Sequence, residues 1–190
     1  MDASLRLLAE SGYAKFSASR VAAMAGISRG AREHYFRTKN DLIVATLEQA
    51  MSEAVAHARS LAQDAGRSAD PVAKFLADSG HFFFSRRYRA LIEIMVAARS
   101  EPALLRLWNP LVRKARRQLN EIWTDTLAKA GHEPRVARRF IELTHYLMRG
   151  LTLAGTWLPY DIDRTAVMRT WHALAPALLG APALGGHRRR

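Results

Sequence analysis

The stretch from Ser28 to Lys39 gathers side chains that could bond a nucleic acid: the cations Arg29, Arg32, Arg37 and Lys39, the acid Glu33, and the polar rings of His34 and Tyr35. An arginine fork fits the O6 and N7 edge of guanine, and a carboxylate accepts from the amino group of cytosine. Hydroxyl, phenol, imidazole and ammonium groups bond phosphate oxygens, which sets register without reading sequence. Two other constellations suggest chemistry and lose to simpler readings. Gly26-Ile27-Ser28-Arg29-Gly30 matches the Gly-x-Ser-x-Gly turn of hydrolases, but that turn needs a strand before its serine, and the pattern here is helical. Ser28 reads better as a helix cap. Glu142-Leu143-Thr144-His145 is half of a di-iron bundle site, and the chain holds no second Glu-x-x-His to complete it. His145 therefore reads as a polar group inside the helical body. The other histidines lack metal-ligand spacing, and neither a dinucleotide fingerprint nor a phosphate-binding Gly-Lys-Ser/Thr loop occurs. No enzymatic activity, cofactor or metal is expected.

Those side chains need a frame. Residues 17–42 read as two short helices joined by a glycine turn, the geometry of a helix-turn-helix, whose second helix enters the DNA major groove. Ser17 can cap the first helix, because its hydroxyl accepts an orphan backbone N–H. Val21, Ala22 and Ala25 supply its inward face. Gly26 ends it with a positive φ. Ile27 plugs the corner, and Ser28 caps a second helix running from Arg29 to Phe36.

Phe16-Ser17, Val21-Ala22, Ala25-Gly26-Ile27-Ser28-Arg29-Gly30, His34-Tyr35-Phe36 and Lys39 resemble the N-terminal domain of TetR-like transcriptional regulators. The likeness is dense over residues 1–48. Beyond them only the length, the all-helical texture and the Gly150-Leu151 step are similar. The resemblance implies a three-helix DNA-binding head, a helical ligand-binding body and a homodimer. Most members of that family carry Leu-Tyr where this chain has Arg32-Glu33, while Tyr35 and Lys39 match phosphate-contacting positions. On this basis Arg29, Arg32 and Glu33 are the candidates for base edges. Gly30 lies in the same DNA-contacting stretch, and Ser17, Ser28, His34, Tyr35, Arg37 and Lys39 are placed to hold phosphates.

Composition fits such a chain. With 190 residues and 49% hydrophobic side chains it can bury a sizeable core. The absence of cysteine excludes disulfides and thiolate metal sites. Met1–Arg6 lacks the basic-then-apolar order of a signal peptide, and Arg149 interrupts the best candidate for a membrane span. A cytoplasmic protein without a membrane partner is expected. The net charge of +12 favours a polyanionic partner. Its distribution is uneven: residues 1–48 hold seven Lys/Arg against five Asp/Glu, whereas residues 86–117 hold nine against Glu93 and Glu101. The DNA reading rests on the motif more than on the charge.

The pattern is helical throughout. Leu5 and Leu8 face inward on a first helix that ends near Gly12, and a long helix begins near Lys39 with Leu42, Ala45, Leu47, Ala50 and Met51 as its apolar side. After a polar break, Asp70-Pro71 starts a helix whose apolar pattern runs from Phe75 through Phe84 and Tyr88 to Ala98. Leu104, Trp108, Leu111, Ala115 and Leu119 repeat at helical spacing, with Pro110 as a kink or restart. Pro134 opens a helix with two apolar stripes, and Asp163 caps a last one with Val167, Trp171, Leu174 and Leu178 inward.

These readings predict an all-α fold: a three-helix DNA-binding head over 1–48, a helical ligand-binding and dimerisation bundle over 49–180, and a disordered basic tail over 181–190. A helix apolar on two sides must be covered on two sides, and pairing of the last two helices with their copies about a two-fold axis does this. Phe82, Phe83, Met95, Trp108, Leu111, Trp123, His145 and Met148 are candidates to line a pocket for an apolar effector, although each taken singly is better read as core. Arg86, Arg87, Arg89 or Arg113 could meet an anionic end of that effector, such as the phosphates of an acyl thioester of a nucleotide cofactor; a solvated basic face is the plainer reading. The expected function is that of a ligand-responsive transcriptional regulator. It would be a repressor that grips a palindromic double-stranded operator as a homodimer and is released by a small molecule. The alternative is a helical small-molecule-binding protein, or a family member whose head no longer binds DNA.

Overall fold

The computed structural model describes residues 2–27, 36, 38–66, 68–158 and 161–180, and every regular element among them is helical. α1 (Asp2–Ser11) buries Leu5, Leu7 and Leu8 and leads into a single 3-10 turn (Tyr13–Lys15). α2 (Ala18–Met24) follows, capped as the sequence predicts: Ser17 Oγ accepts from the Arg20 N–H. Its C-terminus is closed by backbone bonds. Ile27 N–H donates to the Ala22 carbonyl at 2.9 Å, Gly26 N–H donates to the Ala23 carbonyl at 3.2 Å, and Gly26 takes φ +66°. That closure needs no side chain, so Ala25 is exposed rather than inward, and Ile27 is 49% exposed instead of plugging the corner.

α3 (Lys39–Ala65) begins with a reciprocal cap. Thr38 N–H donates to Asp41 Oδ2 at 2.9 Å, and Asp41 N–H donates to Thr38 Oγ1 at 3.1 Å. α4 (Pro71–Phe83) is capped by Asp70, whose Oδ1 accepts from Ala73 N–H at 2.8 Å. It stops at Phe83, and α5 (Arg86–Ala98) starts afresh under Ser85, whose Oγ accepts from Tyr88 N–H at 3.0 Å. The single helix read from the apolar repeat is therefore two, because Ser85 in extended backbone offers a cap where the apolar periodicity shows no gap. α6 (Pro102–Lys129) runs through Pro110 without a restart. α7 (Pro134–Trp157) starts under Glu133, whose carboxylate accepts from the Arg135 and Val136 N–H groups and is held below the usual carboxylate range by those two bonds. α8 (Arg164–Leu179) is capped by Asp163.

The chain divides into two compact units, one of residues 1–55 and 84–116, the other of 56–83 and 117–190. In the first, α1 packs on α5 and α2, around a core that includes Phe16, Leu42, Leu47, Leu91 and Ile94. In the second, α4, α7 and α8 pack on one another around Phe75, Phe140, Ile141 and Met148. The rotation of α8 is set by Trp171. Its ring stacks on Phe140 with centres 5.6 Å apart and planes 3° from parallel, and its Nε1–H donates to Thr144 Oγ1 at 2.8 Å. Ala175 and Leu179, four and eight residues on, follow that line inward. Leu174 and Leu178, expected inside, are instead 48% and 42% exposed.

Candidate nucleic-acid interface

Of the residues assigned to DNA, Ser17 and Lys39 lie within the described chain; Ser28, Arg29, Gly30, Arg32, Glu33, His34, Tyr35 and Arg37 lie outside it. Ser17 caps α2, and the next turn is tied down by Arg20, whose Nη1 donates to the Lys15 carbonyl at 3.0 Å. Lys39 is the first residue of α3. Its ammonium donates to the Tyr13 carbonyl at 3.1 Å and stands 3.6 Å from the centre of the Tyr13 ring. Partial burial pushes its pKa down, and the charge of Glu101 works the other way.

Tyr13 is held twice more. Its phenol donates to Glu101 Oε2 at 2.9 Å, and its backbone N–H donates to Glu93 Oε2 at 3.3 Å. Burial, then the bond to Glu101, then the charge of Glu101 push the phenol pKa up to about 12. Sequence reading passed over this group. Tyr13, Glu93 and Glu101 are far apart in the chain, and only the packing of α5 on α1 and its 3-10 turn brings them together.

The eight candidates for an effector pocket fall into both units. Met95, Trp108 and Leu111 belong to the first and are half-buried. Phe82, Phe83, Trp123, His145 and Met148 belong to the second, where all but the half-buried Phe82 are buried. There the His145 ring lies 5.3 Å from Phe83 and 5.8 Å from Phe75, and the Trp123 ring lies 5.4 Å from Phe75. Trp123 Nε1–H donates to the buried Asp78 at 2.8 Å. Sequence reading missed Asp78, though a buried indole usually finds an acceptor and an acid on an aromatic helix was the signal. Arg149 stands over the rings of Phe83 and Tyr146, 5.9 and 5.7 Å from their centres. Arg86 and Arg87, with Asp2, Leu5 and Arg6, line a cleft of about 360 Å³ in the first unit. Both already face acids, Arg86 with Glu10 at 3.8 Å and Arg87 paired to Glu53.

Residues 1–46 match the family model described as bacterial regulatory proteins, tetR family. The chain is 30% identical over 155 residues to the HTH-type transcriptional regulator CymR of Pseudomonas putida, a match covering 82% of this chain and 76% of that one. The chain belongs to the TetR family. It is a DNA-binding transcriptional regulator and not an enzyme. Solved structures of TetR type share its fold. A protein from Mesorhizobium loti assigned to the family gives a TM-score of 0.72 at 14% identity, covering 94% of this chain and 92% of that one. The fatty acid degradation regulator FadR from Bacillus halodurans gives 0.65 at 20% identity, covering 100% and 94%. No described helix is long and apolar enough to cross a membrane.

Proposed function

We propose that this TetR-family regulator is a cytoplasmic repressor that binds a palindromic operator as a homodimer and leaves it when a small molecule enters the helical body. The observation that carries the dimer is apolar exposure on two packed helices. Leu143 and Tyr146 on α7 are 42% and 50% exposed, and Leu174 and Leu178 on α8 are 48% and 42% exposed. Large apolar side chains at the surface of paired helices call for a cover, and a second copy across a two-fold axis supplies one. Two heads then face half-sites about one helical turn, or a multiple, apart. Arg29, Arg32 and Glu33 would read base edges, and Ser17, Ser28, His34, Tyr35, Arg37 and Lys39 would hold phosphates. Gly30 would allow close approach to the backbone.

The effector proposed is apolar with an anionic end. The rings of Phe75, Phe83, Trp123 and His145 support the apolar part, and Arg149 beside Phe83 supports the charge. The fold neighbour named as a fatty acid degradation regulator makes fatty acids the first effectors to try. Selection of duplexes from random sequence by the purified protein tests the reading directly. A symmetric site should be enriched, and Arg29→Ala or Arg32→Ala should relax base choice at one position in each half, at about 1–3 kcal/mol if the contact is bidentate. Enrichment of no symmetric site would refute it.

A further inference from the structure

Lys39 reaches the surface with little freedom to swing. Its ammonium is bonded to the Tyr13 carbonyl and sits over the Tyr13 ring, and Tyr13 is clamped by Glu101 through its phenol and by Glu93 through its backbone N–H. The approach of Glu93 is close. Gly12, at φ +73°, precedes Tyr13, and a Cβ there would stand 3.0 Å from Glu93 Oε2. A lysine that meets a phosphate ordinarily gives up the rotamer freedom of a long flexible stem. Here much of that freedom is already lost, which makes the contact pre-organised. The ammonium carries three protons, and one bond to a carbonyl leaves two for phosphate oxygens.

We infer that Glu101 and Glu93 are positioning residues for the DNA contact of Lys39, acting by clamping Tyr13 as the platform beneath its ammonium. The inference rests on the proposed reading of Lys39 as a phosphate contact. Glu101 also has an effect of opposite sign, because its charge repels the DNA backbone. Removing its charge and removing its hold on the phenol are therefore different operations, and a pair of variants separates them. The same clamp links DNA affinity to the placing of α5, which carries Glu93, and of the short connection before α6, where Glu101 stands.

The test uses the full chain and a fluorescein-labelled duplex of mixed sequence, about 30 base pairs long so that two half-sites fit. Mixed sequence suffices because a phosphate contact acts on all sequences alike. Anisotropy titrations across a salt series should show Tyr13→Phe and Glu101→Ala weakening binding about threefold or more. Glu101→Gln, which still accepts the phenol proton, should recover the loss. In a Lys39→Ala background Tyr13→Phe should not matter, and Glu101→Ala should no longer weaken binding but leave only the relief of its charge repulsion. Equal weakening in both backgrounds would show that they act on the fold of the head, and would overturn the inference; so would no weakening at all. A DNA-free measurement separates this from failure of the DNA reading. The pKa of the Lys39 ammonium, followed by NMR, should fall in Glu101→Gln, because the charge of Glu101 raises it. If that fall is seen while Lys39→Ala leaves affinity and salt slope unchanged, the phosphate reading of Lys39 has failed and the inference with it. If no fall is seen, the platform itself is wrong.

Discussion

Asp78 carries the most consequential acid in the second unit. Its side chain is buried, and desolvation pushes its pKa up, while the Trp123 bond and the nearby His57 and His81 pull the other way. A carboxyl group with a raised folded pKa binds more protons in the folded state than in the unfolded state, over the window between its ordinary and raised values. Its contribution to stability is therefore fully present below the ordinary carboxylate pKa and is lost as pH rises through that window. Asp78→Asn keeps an oxygen for the Trp123 N–H and removes the charge. Melting temperature against pH, followed by circular dichroism, should be flatter for this variant across the acid range; an unchanged profile would count against the assignment. An acid on an aromatic helix was the one sign of it in the sequence; its pairing was not legible, because Asp78 and Trp123 meet across 45 positions. The caps were legible. Ser17, Asp70 and Asp163 act on N–H groups three residues away, so their chemistry is written locally.

Helix ends separate what periodicity shows from what it hides. The apolar repeat passes through Phe84 and Ser85 unbroken, yet the chain turns there, and the last carbonyls of α4 need partners. One comes from α7: the Thr152 hydroxyl donates to the Phe83 carbonyl at 2.8 Å and is shared with its own Met148 carbonyl at 3.0 Å. Thr152 is only 2% exposed, so water cannot replace it. Thr152→Val keeps the shape and removes the donor that α7 gives to the Phe83 carbonyl. Chemical denaturation should show a loss of about 1–3 kcal/mol, and a loss within error of zero would mean that the carbonyl finds another partner. Thr152→Ser, which keeps the hydroxyl, should lose less. The rotation of α8 was hidden for a related reason. A helix rich in Ala and Leu on several sides offers more than one inward stripe, and the Trp171 stack on Phe140 decides among them.

At the scale of the whole molecule the same exposed leucines divide two kinds of damage. Leu151 is 8% exposed within the protomer, so Leu151→Glu buries a charge without a partner and should unfold the chain. Leu143→Glu combined with Leu174→Glu adds charge only where the protomer meets solvent. It should leave the helical signal intact and, by light scattering at micromolar concentration, convert a dimer into monomers. A dimer that survives the double change would place the self-contact elsewhere. The family was legible from the first 48 residues because a helix-turn-helix is a local motif with a glycine at a fixed offset. Which helices pack on which was not legible, because each described helix offers one or more apolar stripes and no pairing is written in its own residues.

Pro110 leaves a gap in the ladder of α6. It has no N–H to give, so the Arg106 carbonyl one turn earlier lacks its helical donor, and both residues are exposed, which lets water take the place. A missing rung divides the helix into segments that open separately, although the helix remains continuous in outline. In deuterium exchange the amides around Leu105 to Asn109 should therefore label well before those around Trp123 to Leu127, even though the two stretches belong to one element. Pro110→Ala should restore the rung and draw the two rates together. If the stretches already exchange at one rate in the unaltered protein, the gap has no dynamic meaning.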